Sequence, residues 1–196
     1  MDYKDVISQM RIENSPIPTK RFKFSIPNAK EELQNALKAV GEAMGENLKW
    51  LPEYDKIAEW MTDNKGKGIL MYGVVGRGKS IMLRYVIPMI FRAKLTRIVT
   101  IVDCANQKLN IDEITQRKII ALDDIGAEPS QRKDYGTDRN VVIEAITKAQ
   151  DNTDTMIIAT TNLSATELRE RYGERIFDRI VYLCCRVPFN GKSMRK

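Results

Sequence analysis

The chain has 196 residues, 43% of them apolar, enough for one domain with a buried core. It contains no histidine, which excludes Ser/His and Cys/His nucleophile pairs, imidazole bases and imidazole metal sites. The net charge is +6, from 32 basic and 26 acidic residues; residues 1–67 hold 11 of each, so the excess lies beyond them. The three cysteines, Cys104, Cys184 and Cys185, are odd in number and too few for an all-cysteine zinc site, which fits a reducing cytoplasm. No run approaches the roughly 18 to 20 apolar residues of a membrane span, and Met1 to Val6 lacks a signal pattern. A soluble, cytoplasmic protein with no membrane partner is expected.

Pro16, Pro18 and Pro27 punctuate a first stretch unsuited to helix, and Lys20 to Phe24 reads KRFKF. The alternation fits a strap or edge strand with Phe22 and Phe24 packed inward; cations between aromatics would also suit stacked bases. Ala29 to Met44 and Tyr54 to Thr62 have helical spacing, with Pro52 between them. Residues 1–53 therefore read as an N-terminal segment and 54–196 as the main domain. From Gly68 onward, short apolar runs alternate with amphipathic ones. Gly68 to Tyr72, Ile98 to Val102, Ile119 to Leu122 and Met156 to Ala159 are the predicted strands, with helices between or after them. Such alternation implies an α/β fold with a parallel sheet covered on both faces, whose ligands bind at the carboxyl ends of the strands.

Three motifs fall at those ends. Gly73-Val74-Val75-Gly76-Arg77-Gly78-Lys79-Ser80 matches GxxxxGK[ST] between a strand and a helix. Its glycines let backbone N–H groups face phosphate oxygens. Lys79 would reach the β and γ phosphates, Ser80 would ligate Mg2+, and the N–H of Ile81 would lie near the α phosphate. Ile119 to Asp124 is an apolar strand ending in two carboxylates: Asp123 is expected in the Mg2+ shell and Asp124 beside the attacking water. A third strand ends in Thr160-Thr161-Asn162, where Asn162 could position that water; Ser164 suits a helix N-cap. Arg171, Arg175 and Arg179 recur every four residues and would form a cationic stripe on a continuous helix, which Gly173 could interrupt. From Arg179 onward there are five basic residues and no acid, a tail able to meet phosphates.

Together the phosphate loop, LDDIGAEP, ATTNLS and RERYGERIFDRI resemble the DnaC/IstB group of AAA+ ATPases, over about Tyr54 to Lys196. The resemblance implies a P-loop AAA+ three-layer sandwich with a short N-terminal extension and no full C-terminal lid domain. It implies ATP and Mg2+ as ligands, with Asp123 and Asp124 as Walker B and Asn162 as sensor 1. Arg179, with Arg175 nearby, would be the arginine finger reaching a neighbouring subunit in a head-to-tail assembly. GKSMR (Gly191 to Arg195) is similar to the group's terminal Ser-aromatic-Arg and makes Arg195 a sensor 2 candidate, although Met194 replaces the aromatic. By the same likeness the chain would deliver a replicative helicase, held by the N-terminal segment, to single-stranded DNA. A transposition helper that recruits a transposase is the alternative.

The sequence departs from the group in three other places, one of them the short N-terminal segment, where members of the group touch their particular protein partner. Only 13 residues, Ala105 to Arg117, separate two strands where the group carries a longer helical stretch implicated in DNA contact. Lys148-Ala149-Gln150 stands where a basic-aromatic pair is common. Two further readings are less favoured. Asp123-Asp124-Ile125-Gly126 satisfies the DxxG of small GTPases, but no [NT]KxD is present. A non-enzymatic adaptor would fit Asp124 standing in place of the Glu of fast ATPases.

Overall fold

The computed structural model describes residues 2–13, 15, 20–106, 108–129, 133–134 and 137–194. Helix α1 (Tyr3–Ile12) buries none of its residues. Then follow α2 (Ala29–Met44), α3 (Glu53–Thr62) and β1 (Gly68–Gly73). The helix after the phosphate loop has three parts: α4 (Lys79–Ile81), a π-helical turn over Met82–Val86, and α5 (Ile87–Leu95). Next come β2 (Thr100–Asp103), α6 (Ile111–Thr115), β3 (Ile119–Ile125) and a short hairpin of β4 (Lys133–Asp134) and β5 (Thr137–Asp138). The chain continues through α7 (Val141–Asp151), β6 (Met156–Thr161), α8 (Ala165–Leu183) and β7 (Cys184–Phe189).

The main sheet runs β2-β3-β6-β1-β7 with every neighbouring pair parallel. Successive side chains point to opposite faces, and both faces are filled. Ile69, Met71, Ala121 and Ile158 face a core shared with α2, α3 and α5. Leu70, Ile120, Leu122, Ile157 and Ala159 face the other, shared with α7 and α8. The result is a three-layer sandwich.

Four sheet strands match the predicted runs, and three of them extend into the polar residues that follow. β2 starts later than Ile98 because Thr96 leaves α5 in a left-handed conformation and Ile98 is exposed. β7 lies in what reads as the basic tail. Its Pro188 lacks an N–H, which an edge strand tolerates. The 13 residues from Ala105 to Arg117 contain the single turn of α6.

Residues 24–51 share the core under the sheet. Phe24 meets Trp60 edge-on at 5.2 Å and Phe91 at 5.0 Å. The strap carrying it forms no strand. It is held by Asn64, fully buried, which accepts from the Phe24 N–H and donates to the carbonyls of Phe22 and Lys67. Phe22 packs at the margin of this core under the Arg97 guanidinium, so the inward-packed reading of KRFKF describes the structure. No helix among the described residues is long and apolar enough to cross a membrane.

Candidate nucleotide site

Parallel pairing delivers three strand ends to one edge. Tyr72 is in register with Thr161, Gly73 with Phe189, and Leu122 with Ala159. The residues just beyond these strands are therefore neighbours in space: the phosphate loop, the Asp123-Asp124 pair and Asn162.

In the loop, Gly78 has φ 85° and precedes the first turn of α4, which no side chain caps. That turn's amide groups suit an anion. A side chain at Gly78 would place Cβ 2.5 Å from the Tyr54 hydroxyl, so the close approach of α3 to the loop requires glycine. Burial, then the Glu53 charge, pushes the Tyr54 phenol up to about 12, and it stays protonated. The Lys79 ammonium lies across the loop. It donates to the carbonyls of Gly73 at 2.7 Å and Val74 at 2.8 Å, and to Asn162 Oδ1 at 2.8 Å.

Asn162 uses its other end to donate from Nδ2 to Asp124 Oδ1 at 2.7 Å. It thus bridges the loop cation and the Asp124 carboxylate. Thr160 organises the pair from below. Its hydroxyl donates to Asp123 Oδ1 at 2.6 Å and accepts from the Asp124 N–H at 2.8 Å. Ser80 Oγ also donates to Asp123 Oδ1, at 3.0 Å. This set of hydroxyl and carboxylate oxygens fits Mg2+, which takes one or two carboxylates plus phosphates and water rather than a full protein cage. Among the described residues no three or more His, Cys, Asp or Glu are grouped for a metal.

Four partners escape a motif reading. Arg84 binds Asp123 Oδ2 and, at 3.0 Å, Asp103 Oδ2. Thr160 is concealed in ATTN, and Asp103 ends its strand as Asp123 does. Glu53 holds Arg77 from both oxygens, at 2.7 and 3.0 Å, which turns that loop side chain toward α3.

No protein-family model matches the chain, and no curated protein matches it by sequence. Solved structures do match. A crystal structure of DnaI aligns with TM-score 0.51 and 24% identity, over 66% of this chain and 73% of that one. A Streptococcus pyogenes serotype M3 protein described as a primosome component gives 0.51 and 19%, over 86% and 83%. The DnaC helicase loader gives 0.50 and 17%, over 85% and 93%. The chain has the DnaC-type AAA+ fold. At these identities the likeness speaks for the fold alone.

In this AAA+ fold the three regularly spaced arginines do not form one stripe. Gly173 adopts φ 77° and ψ 160° and breaks α8 into two helices, each end set separately. Arg171 binds buried Glu128, which also accepts from the Tyr172 hydroxyl and from the Gly126 N–H at 2.9 Å. Arg175 is exposed, whereas half-buried Arg179 donates to Thr147 Oγ1 at 2.9 Å. The first helix opens with a reciprocal cap, Ser164 with Glu167, as its sequence suggests. The tail of the AAA+ unit returns to the phosphate loop: the Met194 N–H donates to the Gly76 carbonyl at 2.9 Å and Arg77 to the Lys192 carbonyl at 3.3 Å. Arg195, the sensor 2 candidate, lies outside the described residues.

Asp124 sits at φ 62°, a left-handed conformation that Asp tolerates better than most residues. Burial, then the charge of Asp123, raises its pKa above the ordinary carboxylate value. Its ionised form is therefore disfavoured on folding, and Asp124 subtracts from stability at pH 7. That penalty disappears as pH falls to where the carboxyl is protonated, folded and unfolded alike. Asp124→Asn keeps an acceptor for Asn162 and loses the charge. It should melt higher than the parent at pH 7 by about 1–3 °C, a small gain because solvent screens a half-buried group, and the gain should shrink toward pH 4. Melting curves across pH check this; a gain that grows on acidification would contradict it.

Proposed function

We propose that the chain is an ATP-controlled helicase loader for DNA replication: it binds and slowly hydrolyses ATP, and delivers a replicative helicase to single-stranded DNA. The observation that carries this reading is the Lys79, Asn162, Asp124 chain set beside the Ser80–Asp123 pair. The likeness of fold to the DnaC helicase loader supports it. Lys79 neutralises the terminal phosphates, and Asp124, oriented by Asn162, polarises the attacking water. Ser80 and Asp123 hold Mg2+, which supplies further neutralisation of phosphate charge. Asp124 is one methylene shorter than the Glu of fast ATPases, which favours a switch over a motor. Gly73 to Ile81 carry the phosphates, and Arg195 follows a residue hydrogen-bonded to that loop.

Arg175 and Arg179 are the finger candidates for a neighbour's site in a head-to-tail assembly. Arg175→Ala should leave the melting temperature unchanged, since its side chain is exposed, and should lower turnover by at least about tenfold. Mixing it with a Lys79→Ala protein should restore part of that loss, because each mutant supplies what the other's shared site lacks. No restoration on mixing would place Arg175 outside any shared site.

The loader reading is tested by fluorescence anisotropy of a labelled single-stranded oligonucleotide in ATP, ADP or no nucleotide. Binding selective for ATP is expected. Equal binding in all three removes the switch, and none in any state removes direct DNA contact.

A further inference from the structure

The helix behind the phosphate loop carries a device that no motif reports. Pro88 offers no N–H to the carbonyl one turn earlier, and its ring crowds that carbonyl. The helix widens just before it, into the π turn Met82–Val86. Such single π turns recur at functional sites. Met82, Leu83 and Val86 are buried in the core, and Arg84 is the charged residue of the turn. It reaches the ends of two adjacent strands, where Asp103 and Asp123 stand opposite each other in the β2–β3 register. Two carboxylates so placed repel. Asp123 is only 3% exposed, so its charge demands a close partner. Its Oδ1 is taken by the hydroxyls of Ser80 and Thr160, and its Oδ2 by Arg84.

We propose that Arg84 is a positioning residue that competes with Mg2+ for the Asp123 carboxylate, neutralising the Asp103–Asp123 pair and setting the Mg2+ concentration at which nucleotide binds. This rests on the nucleotide-site reading above. Mg2+ must compete with a charge-assisted hydrogen bond for Asp123 and must enter beside a fixed cation. Both effects weaken the metal.

The test is a MgCl2 titration, from metal-free protein in EDTA, of the fluorescence of a ribose-labelled ATP analogue. In Arg84→Gln the Mg2+ midpoint should fall about tenfold, since one competitor and one positive charge are lost together. Without metal or nucleotide the same variant should melt below the parent, and saturating MgCl2 with nucleotide should narrow that difference. Arg84→Lys keeps the charge but not the fork that spans two carboxylates, so its midpoint should fall by about threefold. It carries the test if the glutamine variant fails to fold. A midpoint that is unchanged or raised in the folded variant overturns the proposal while leaving the nucleotide site standing. Absence of analogue binding in the parent at any Mg2+ concentration overturns both.

Discussion

Replacing Lys79 with alanine should abolish turnover and weaken ATP binding about 10- to 100-fold, the worth of a charge-assisted phosphate contact. Lys79 is only 6% exposed, and its ammonium donates to acceptors on two segments, among them the carbonyls of Gly73 and Val74 and the amide oxygen of Asn162. No alanine can join the loop to Asn162. Without that link, Asn162 loses the contact that fixes the end opposite Asp124, so on the proposed reading turnover should suffer along with ATP binding. Freed acceptors near the surface regain water, and the stability cost should stay near about 1–3 kcal/mol. Calorimetric titration with ATP, beside a phosphate-release assay, separates binding from turnover. Binding equal to that of the parent would show that the ammonium does not meet the nucleotide.

Arg77→Ala should be strongly destabilising. Arg77 and Glu53 form a bidentate pair with side chains 14% and 9% exposed. Removing the arginine strands a buried carboxylate whose charge already acts on the Tyr54 phenol, a change that costs about 3–5 kcal/mol. At this chain length that corresponds to roughly 10 °C in melting temperature. The double variant Glu53→Gln, Arg77→Ala should recover a large part of the loss, because no charge is left stranded. The cycle of four proteins yields the coupling directly. A single-variant loss below about 1 kcal/mol would place the pair with ordinary surface ion pairs.

The phosphate loop, the two carboxylates and Asn162 were legible in sequence because each sits where an apolar run ends, and parallel pairing brings such ends together. The inward-packed strap was legible from the alternation of KRFKF. Arg84 was not. Its role depends on a widened turn and on a register between two strands, neither of which leaves a local pattern. Glu53 and Tyr54 fell at the assumed boundary between segments, yet α3 lies directly against the loop. β7 was hidden because Cys184–Phe189 mixes charge and proline, which only an edge position accommodates. The arginine spacing suggested a stripe, and the backbone at Gly173 divided it instead.

The return of the tail to the phosphate loop has an energetic corollary. Among the contacts of the described residues, the residue 194 N–H makes a neutral backbone hydrogen bond to residue 76, and the Arg77 guanidinium donates to the carbonyl of residue 192. The neutral bond contributes about 1 kcal/mol and the one from the guanidinium about 1.5–3 kcal/mol. Both contacts lie beyond Phe189, which is fully buried, so residues 192 and 194 are tied to the loop's own backbone and side chain rather than to the core.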